Sequence, residues 1–404
     1  TIQSRCQISD RINVQLCIFE LSASVLQLLF CLIAYIKSLK AYLFMQCAKQ
    51  DSNMALLAAF FFALFVVYAH SDPSGFINID CGLPQNGSYV DELTGLTYVS
   101  DSSYITGGVA LPVLGYSNFI FQQLATVRSF PVGDKHCYSV VVDEGERYLI
   151  KATFAYLNYD SLNVLPTFDL YLDGSLWVTV QIDDVISLFV EEAIHVPNRD
   201  TISVCLVNVG NGTPFISALE FRAMYKHIYH YTPAGKSLAL FARYNVGSVS
   251  GGIIRYPLDP YDRTWSPFND NAWKNSSTDK QTALGNNYQP PREVMQTSQI
   301  SPKSSDPIGF IFDNNITTTQ FFVYMHFAEI QKLRLDERRI IDIYLNEYTS
   351  YRGFEPRYLT PLTVVLTQLT TNLSFQLLLK AGAGSTLPPM INAVEFYFVI
   401  NNTD

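Results

Sequence analysis

Hydrophobic and polar residues alternate along most of this chain with a period of two. In Phe168-Asp-Leu-Tyr-Leu-Asp-Gly174, Phe168, Leu170 and Leu172 share one face while Asp169, Tyr171 and Asp173 share the other, as in a half-buried strand. Asp173-Gly174 then offers a two-residue hairpin turn before a second strand over Trp177 to Ile182. The same phase returns at Ile341-Asp-Ile-Tyr-Leu-Asn346, with Ile341, Ile343 and Leu345 inward. Further strands are predicted over Tyr138 to Val142, Thr201 to Asn208, Phe321 to Phe327, Ser374 to Lys380 and Val394 to Ile400. No apolar heptad of useful length interrupts them. Many short strands punctuated by Gly, Pro and Asn predict an all-β protein of antiparallel, jelly-roll-like sandwiches.

The pattern also repeats at long range. Tyr148-Leu-Ile-Lys-Ala-Thr-Phe154, Phe168 to Gly174 and Pro214-Phe-Ile-Ser-Ala-Leu-Glu-Phe221 recur in order as Phe322-Val-Tyr-Met-His-Phe327, Ile341 to Asn346 and Pro389-Met-Ile-Asn-Ala-Val-Glu-Phe396. Phe154 and Phe327 are 173 residues apart, as are Asp169 and Asp342, and Glu220 and Glu395 are 175 apart. This period is too long for a solenoid unit of roughly 20 to 50 residues and is of domain size. Two tandem copies are therefore expected, over 75–225 and 236–400, with a short linker near Tyr225 to Lys236. A composition 48% hydrophobic and only 16% charged, with 25 Tyr and 27 Phe, excludes a disordered chain.

Met54 to Ala69 has an apolar core of about the length of a secretory leader, with Val67-Tyr68-Ala69 as its cleavage site. A buried helix or an anchor are the alternatives. Residues 1–53 form an uncertain extension that begins at Thr1, carries four of the seven cysteines and has a second apolar stretch from Leu21 to Ile36. It reads as a misassigned gene start or a fragment; if translated, that stretch would act as a second signal or anchor. Six N-x-[ST] sequons, at Asn86, Asn211, Asn275, Asn315, Asn372 and Asn401, point independently to the secretory pathway. Beyond the leader only Cys81, Cys137 and Cys205 remain, of which two would pair in an oxidising compartment. The spacing does not say which two. A net charge of −9 repels a phosphate backbone, so nucleic acid is excluded as a partner.

Gly75-Phe-Ile-Asn-Ile-Asp-Cys-Gly-Leu-Pro84 and Thr94-Gly-Leu-Thr-Tyr-Val-Ser-Asp101 resemble the opening of the malectin-like ectodomain of plant receptor kinases. Val127-Arg-Ser-Phe-Pro131, Val204-Cys-Leu-Val-Asn208 and Arg255-Tyr-Pro-Leu-Asp-Pro-Tyr-Asp-Arg-Thr-Trp265 extend the resemblance to about residue 400. It implies two malectin-like sandwiches outside the cell or on the outer face of the plasma membrane, usually followed by leucine-rich repeats, a span and a kinase. The chain stops at Asp404 without a Gly-rich nucleotide loop or kinase catalytic motif, so a non-enzymatic receptor ectodomain, a truncated receptor or a secreted decoy is expected. Membrane association would come from the N-terminal hydrophobic segment or from a span downstream. The partners implied are a cell-wall carbohydrate or a secreted peptide, with a possible co-receptor protein.

Sugar binding needs flat aromatic faces beside planar polar groups. Segments with that mixture are Tyr98, Asp101 and Tyr104; Tyr156, Tyr159 and Asp160; and Tyr256, Asp259, Tyr261 and Asp262, followed by Arg263 and Trp265. Against this stands plain packing: loop tyrosines against a sandwich edge, a structural ion pair for Arg263 and a core indole for Trp265. Animal malectin holds a glucose disaccharide through loop aromatics and an aspartate, a set that does not align here position by position. Glu220 and Glu395 sit in different copies, which argues for repeated structural acids capping backbone donors rather than a glycosidase pair. His227 and His230 lack the further ligands of a metal site, so a solvated linker is expected there, and neither metal nor cofactor is anticipated.

Overall fold

The computed structural model describes residues 72–401 except 114–120, 231–235, 284, 314–319, 347 and 370–373. The leader-like segment, the N-terminal extension, Asn315 and Asn372 lie outside the described residues. No helix among those described is long and apolar enough to cross a membrane.

The alternating segments fold as strands in the expected phase. Phe168, Leu170 and Leu172 point into a core, as do Ile341, Ile343 and Leu345. Asp173 and Gly174 both take positive φ, 46° and 87°, giving the tight turn that joins Thr167–Leu172 to Ser175–Gln181. Burying each large apolar side chain contributes about 1.5–3 kcal/mol, so this alternation drives the sheets together face to face.

Four strands of the first copy, Phe76–Asp80, Ala218–Met224, Arg147–Ala155 and Leu188–His195, lie side by side in one sheet. Their counterparts Lys236–Val246, Ala393–Asn401, Gln320–Phe327 and Leu362–Leu369 continue it in the same order. The two sets join where Ala193 and Ile194 pair antiparallel with Ala239 and Leu238. A four-stranded sheet covers each half. Lys135–Val141, Thr201–Asn211, Thr167–Leu172 and Ser175–Gln181 cover the first, and Ile308–Asp313, Ser374–Ala381, Ile341–Leu345 and Tyr348–Phe354 the second.

Each sandwich encloses its own core. Ile150, Phe154, Leu170 and Val204 meet in one, and Val323, Phe327, Ile343 and Leu379 in the other. A third apolar cluster, including Leu149, Ile194, Tyr229, Leu238, Tyr324 and Tyr397, lies on the opposite face of the long sheet. The 225–230 stretch, expected as a solvated linker, is half buried: His227 and His230 are exposed, but Ile228 and Tyr229 belong to this third cluster. The apolar residues between the histidines anchor the chain crossing.

The repeat extends to a pair of glycines the sequence pattern does not flag. A Cβ on Gly82 would lie 2.4 Å from the Val127 carbonyl oxygen, and one on Gly247 would lie 2.3 Å from that of Ser298, so backbone crosses backbone at matching points of both sandwiches. Cys137 and Cys205 sit directly opposite on paired strands and form a disulfide, leaving Cys81 free and buried.

Candidate functional site

The outer face of the long sheet is charged as well as apolar, and the segment from Ile254 to Trp265 packs over it. On Arg147–Ala155, Ile150 and Ala152 face the first core while Lys151 and Thr153 face outward. Outward charges from several strands converge beneath the covering segment. Asp262, fully buried, accepts from Arg222 Nε at 2.9 Å and from Arg255 Nε and Nη2 at 2.8 Å each, with Lys151 Nζ 3.4 Å away. Glu220 Oε1 accepts from Tyr98 Oη at 2.6 Å, Arg222 Nη2 at 2.5 Å and Arg255 Nη2 at 3.2 Å. Arg243 bridges the halves, donating to Glu192 at 2.6 Å and to Glu395 at 2.8 Å.

Burial alone would raise the carboxylates, but neighbouring cations outweigh it. Arg222, Lys151 and Arg255 hold Glu220 below its ordinary range, and Lys151, Arg222 and Arg255 hold Asp262 well below its own. Arg243 and His326 likewise depress Glu395. Burial lowers His326 despite its Glu395 partner, so the imidazole is neutral and its Nε2 donates to the carboxylate at 2.9 Å.

A pocket of about 300 Å³ opens beside this network. Lys151, Thr153, Glu220 and Arg255 form its polar floor, with Gln123 beside them. Leu93, Phe121, Leu188, Val190, Ile253 and Tyr256 line it with apolar and aromatic surface. Strand alternation, the turn after Ser88–Val90 and the covering segment thus bring together residues far apart in the chain. A larger cleft of about 700 Å³ lies between Tyr225, His227 and the loop carrying Asn286, Gln289 and Pro290.

Residues 79–399 match the family model for the malectin-like domain. The chain belongs to the malectin-like family. It is 38% identical over 353 residues to a putative receptor-like protein kinase of Arabidopsis thaliana, covering 86% of this chain and 39% of that one. It is also 38% identical over 346 residues to a probable LRR receptor-like serine/threonine-protein kinase of the same plant, covering 84% and 40%. The chain thus spans about two fifths of the length of these curated relatives. Among solved structures, the ANX2 ectodomain from Arabidopsis thaliana has a TM-score of 0.65 at 15% identity, covering 80% of this chain and 96% of that one. The receptor-like kinase FER gives 0.65 at 17%, with the same coverage. These structures share the malectin-like fold.

Within this malectin-like chain most sequence-predicted ligand residues lie inside. Tyr98 and Asp101 are buried, Asp101 held by Arg128 and Tyr138. Tyr104, half-buried, packs against the first core. Tyr156 and Tyr159 pack against Phe215, with their hydroxyls bonded to Asp160 and Ser129. Asp259 accepts from both Arg263 Nε at 2.8 Å and Trp265 Nε1 at 2.6 Å, and Tyr261 is buried above the sheet. Asp262 is the hub of the ion network. Of the ten, only Tyr256 lines the pocket beside that network. Glu220 and Glu395 take side-chain donors, mainly arginines and tyrosines, rather than capping backbone as expected. Sequence reasoning missed Lys151, Thr153 and Leu188, whose one legible signal is the outward phase of their strands, and Gln123, which lies in the short 3-10 turn Gln122–Leu124 and carries no such signal. No cluster of metal-ligating side chains occurs among the described residues.

Two acids, Asp80 and Glu191, run the other way. Burial pushes Asp80 up from 3.8 to about 6, although Thr126 and Tyr89 donate to it. Its folded form holds the proton more tightly than the unfolded chain, so its contribution is complete below about pH 4 and is lost as pH rises through 6. The expected loss is about 3 kcal/mol. Glu191, pushed by burial to about 7, acts in the same direction. Below about pH 4 the depressed Glu220, Asp262 and Glu395 reverse the trend. Urea midpoints should therefore peak in mildly acidic buffer, and Asp80→Asn should flatten the fall toward neutral pH; an unchanged slope in that variant would contradict the assignment.

Proposed function

We propose that this chain is the extracellular ligand-binding region of a receptor-like kinase, and that it recognises a secreted peptide through the pocket beside Glu220. The carrying observation is the pocket wall. Leu93, Leu188 and Ile253 are 48%, 46% and 62% exposed around a concave site, where an apolar side chain would bury them at a gain. The tyrosine faces that stacking on a sugar requires are, at Tyr98, Tyr156, Tyr159 and Tyr261, packed into the protein. A solved complex of the plant peptide RALF23 with FER and LLG2 has the same fold, with a TM-score of 0.62 at 16% identity over 81% of this chain and 96% of that one. It supports a peptide, with a co-receptor protein, as the partner class to test.

In this reading residues 75–225 and 236–400 are the two malectin-like copies, displayed outside the cell after removal of the 54–69 leader. Asn86, Asn211 and Asn275 stand exposed, as glycan attachment requires; with Asn315, Asn372 and Asn401 they complete the proposed set. The acidic chain favours a basic peptide.

Screening the secreted full chain against peptide and glycan arrays tests this. Peptide binding should weaken several-fold on raising salt from about 50 to 500 mM, and Leu188→Asp should weaken it about tenfold or more. Glycan binding untouched by Leu188→Asp, with no peptide bound, would overturn the reading.

A further inference from the structure

The two halves treat one glutamate differently. Glu220 pairs in register with Lys151, and Glu395 with Tyr324, so the two acids occupy the same place in their sandwiches. Thr153 pairs with Ala218 as His326 pairs with Ala393, so Thr153 stands where the second half has His326.

Both oxygens of Glu395 are occupied. Oε2 accepts from Arg243, Tyr229 and Tyr397, and Oε1 from His326 Nε2 at 2.9 Å. At Glu220 all three donors converge on Oε1, and Oε2 accepts from no group among the described residues. The shorter Thr153 leaves space where the imidazole would be, and that space is part of the 300 Å³ pocket. Gln123 borders it, 5% exposed, with an amide oxygen that has no hydrogen-bond partner among the described residues. Arg255 reaches it with a third nitrogen, Nη1, that bonds to neither Asp262 nor Glu220.

We propose that this pocket binds a neutral aromatic side chain with a hydrogen-bond donor on its ring edge, carried by a peptide ligand, which donates to Glu220 as His326 donates to Glu395. The inference rests on the peptide reading above and specifies the group that enters. Neutrality follows from the floor, where the three cations Lys151, Arg222 and Arg255 already face the three carboxylates of Glu220, Asp262 and Glu192, so a bare charge would enter without a counterion. The ring follows from the wall, with Phe121, Tyr256, Leu188 and Val190 around a volume suited to one aromatic group. The donor follows from the open carboxylate oxygen, whose burial without a partner is costly. Gln123 can turn its amide to accept from or donate to the same group.

Two side chains meet this description, the phenol of tyrosine and the imidazole of neutral histidine. Ligand-observed NMR titration of the full secreted chain with p-cresol, 4-methylimidazole and toluene separates them from each other and from simple apolar filling. At least one polar probe should bind about tenfold tighter than toluene. Thr153→His should abolish that binding by supplying the imidazole internally, while Thr153→Ser keeps it; circular dichroism and the urea midpoint establish that both variants fold. Toluene binding as tightly as both polar probes, no probe binding at millimolar concentration, or undiminished binding in folded Thr153→His would each overturn the proposal. A peptide whose affinity falls in Leu188→Asp but not in Thr153→His would sink this inference alone and leave the peptide reading standing.

Discussion

Arg243→Ala is expected to destabilise the protein by about 3–5 kcal/mol. Arg243 is fully buried between the halves, donating to Glu192 on one side and to Glu395 and the Tyr397 hydroxyl on the other. Truncation leaves two carboxylates without their principal cation, in a place water does not reach. The cost is that of the stranded charges more than of the lost attraction, so neutralising a partner should recover part of it. Arg243→Met combined with Glu395→Gln should lie closer to wild type than the sum of the two single changes, because the pair shares one interaction. Urea denaturation of the four proteins closes the cycle; strict additivity would show that Arg243 and Glu395 are not coupled.

Asp262→Asn should cost a similar amount, about 3–5 kcal/mol, and should also impair ligand binding. The carboxylate faces three cations at once, Lys151, Arg222 and Arg255, and accepts the Tyr256 backbone N–H. Asparagine keeps the shape and an acceptor for that N–H but removes the charge. Arg255, the most exposed of the three cations, at 20% against 2% for Lys151 and 0% for Arg222, is the one free to turn toward water. Its departure would unpin the Tyr256 side of the pocket. Peptide binding should therefore fall more in Asp262→Asn than in Asp173→Asn, which alters a carboxylate at the far hairpin. Equal binding in the two, measured at a temperature where both are folded, would separate the network from the pocket.

Asp262 lies in a segment whose role is only half legible in the sequence, and Arg243 on a strand, Lys236–Val246, that the alternation does not single out. The Arg255 to Trp265 stretch stood out as a motif, and its aspartates and aromatics looked like a ligand loop. Asp262, next to Tyr261, has the same local pattern whether it meets solvent or the three cations Lys151, Arg222 and Arg255, and those partners lie up to 111 residues away along the chain. The reading of Arg263 and Trp265 as a structural ion pair and a core indole agrees with their shared partner Asp259, since both donate to the same carboxylate oxygen. For Glu220 and Glu395 the repeat was visible, but the donors were not. They come from strands that become neighbours only when the long sheet forms. The pocket is hidden in the sequence for the same reason: Thr153 and His326 differ inside a repeat that is visible through its similarities.

By itself the sequence determined the clearly alternating strands, such as Thr167–Leu172, Thr201–Asn211 and Ile341–Leu345, their facing, the Asp173-Gly174 hairpin and the doubling of the module, because a period of two and a turn dipeptide are local properties that hydrophobic burial converts directly into sheet faces; Leu188–His195, Lys236–Val246 and Leu362–Leu369 were not among them. Tertiary structure alone decided that the two sheets run on into one through Ala193 and Ala239, that their outer face is sealed by an arginine and carboxylate network, and that one glutamate keeps an open oxygen beside an apolar hollow. Those outcomes depend on which distant side chains share a low-dielectric space, and such proximity is written in no single stretch of the chain.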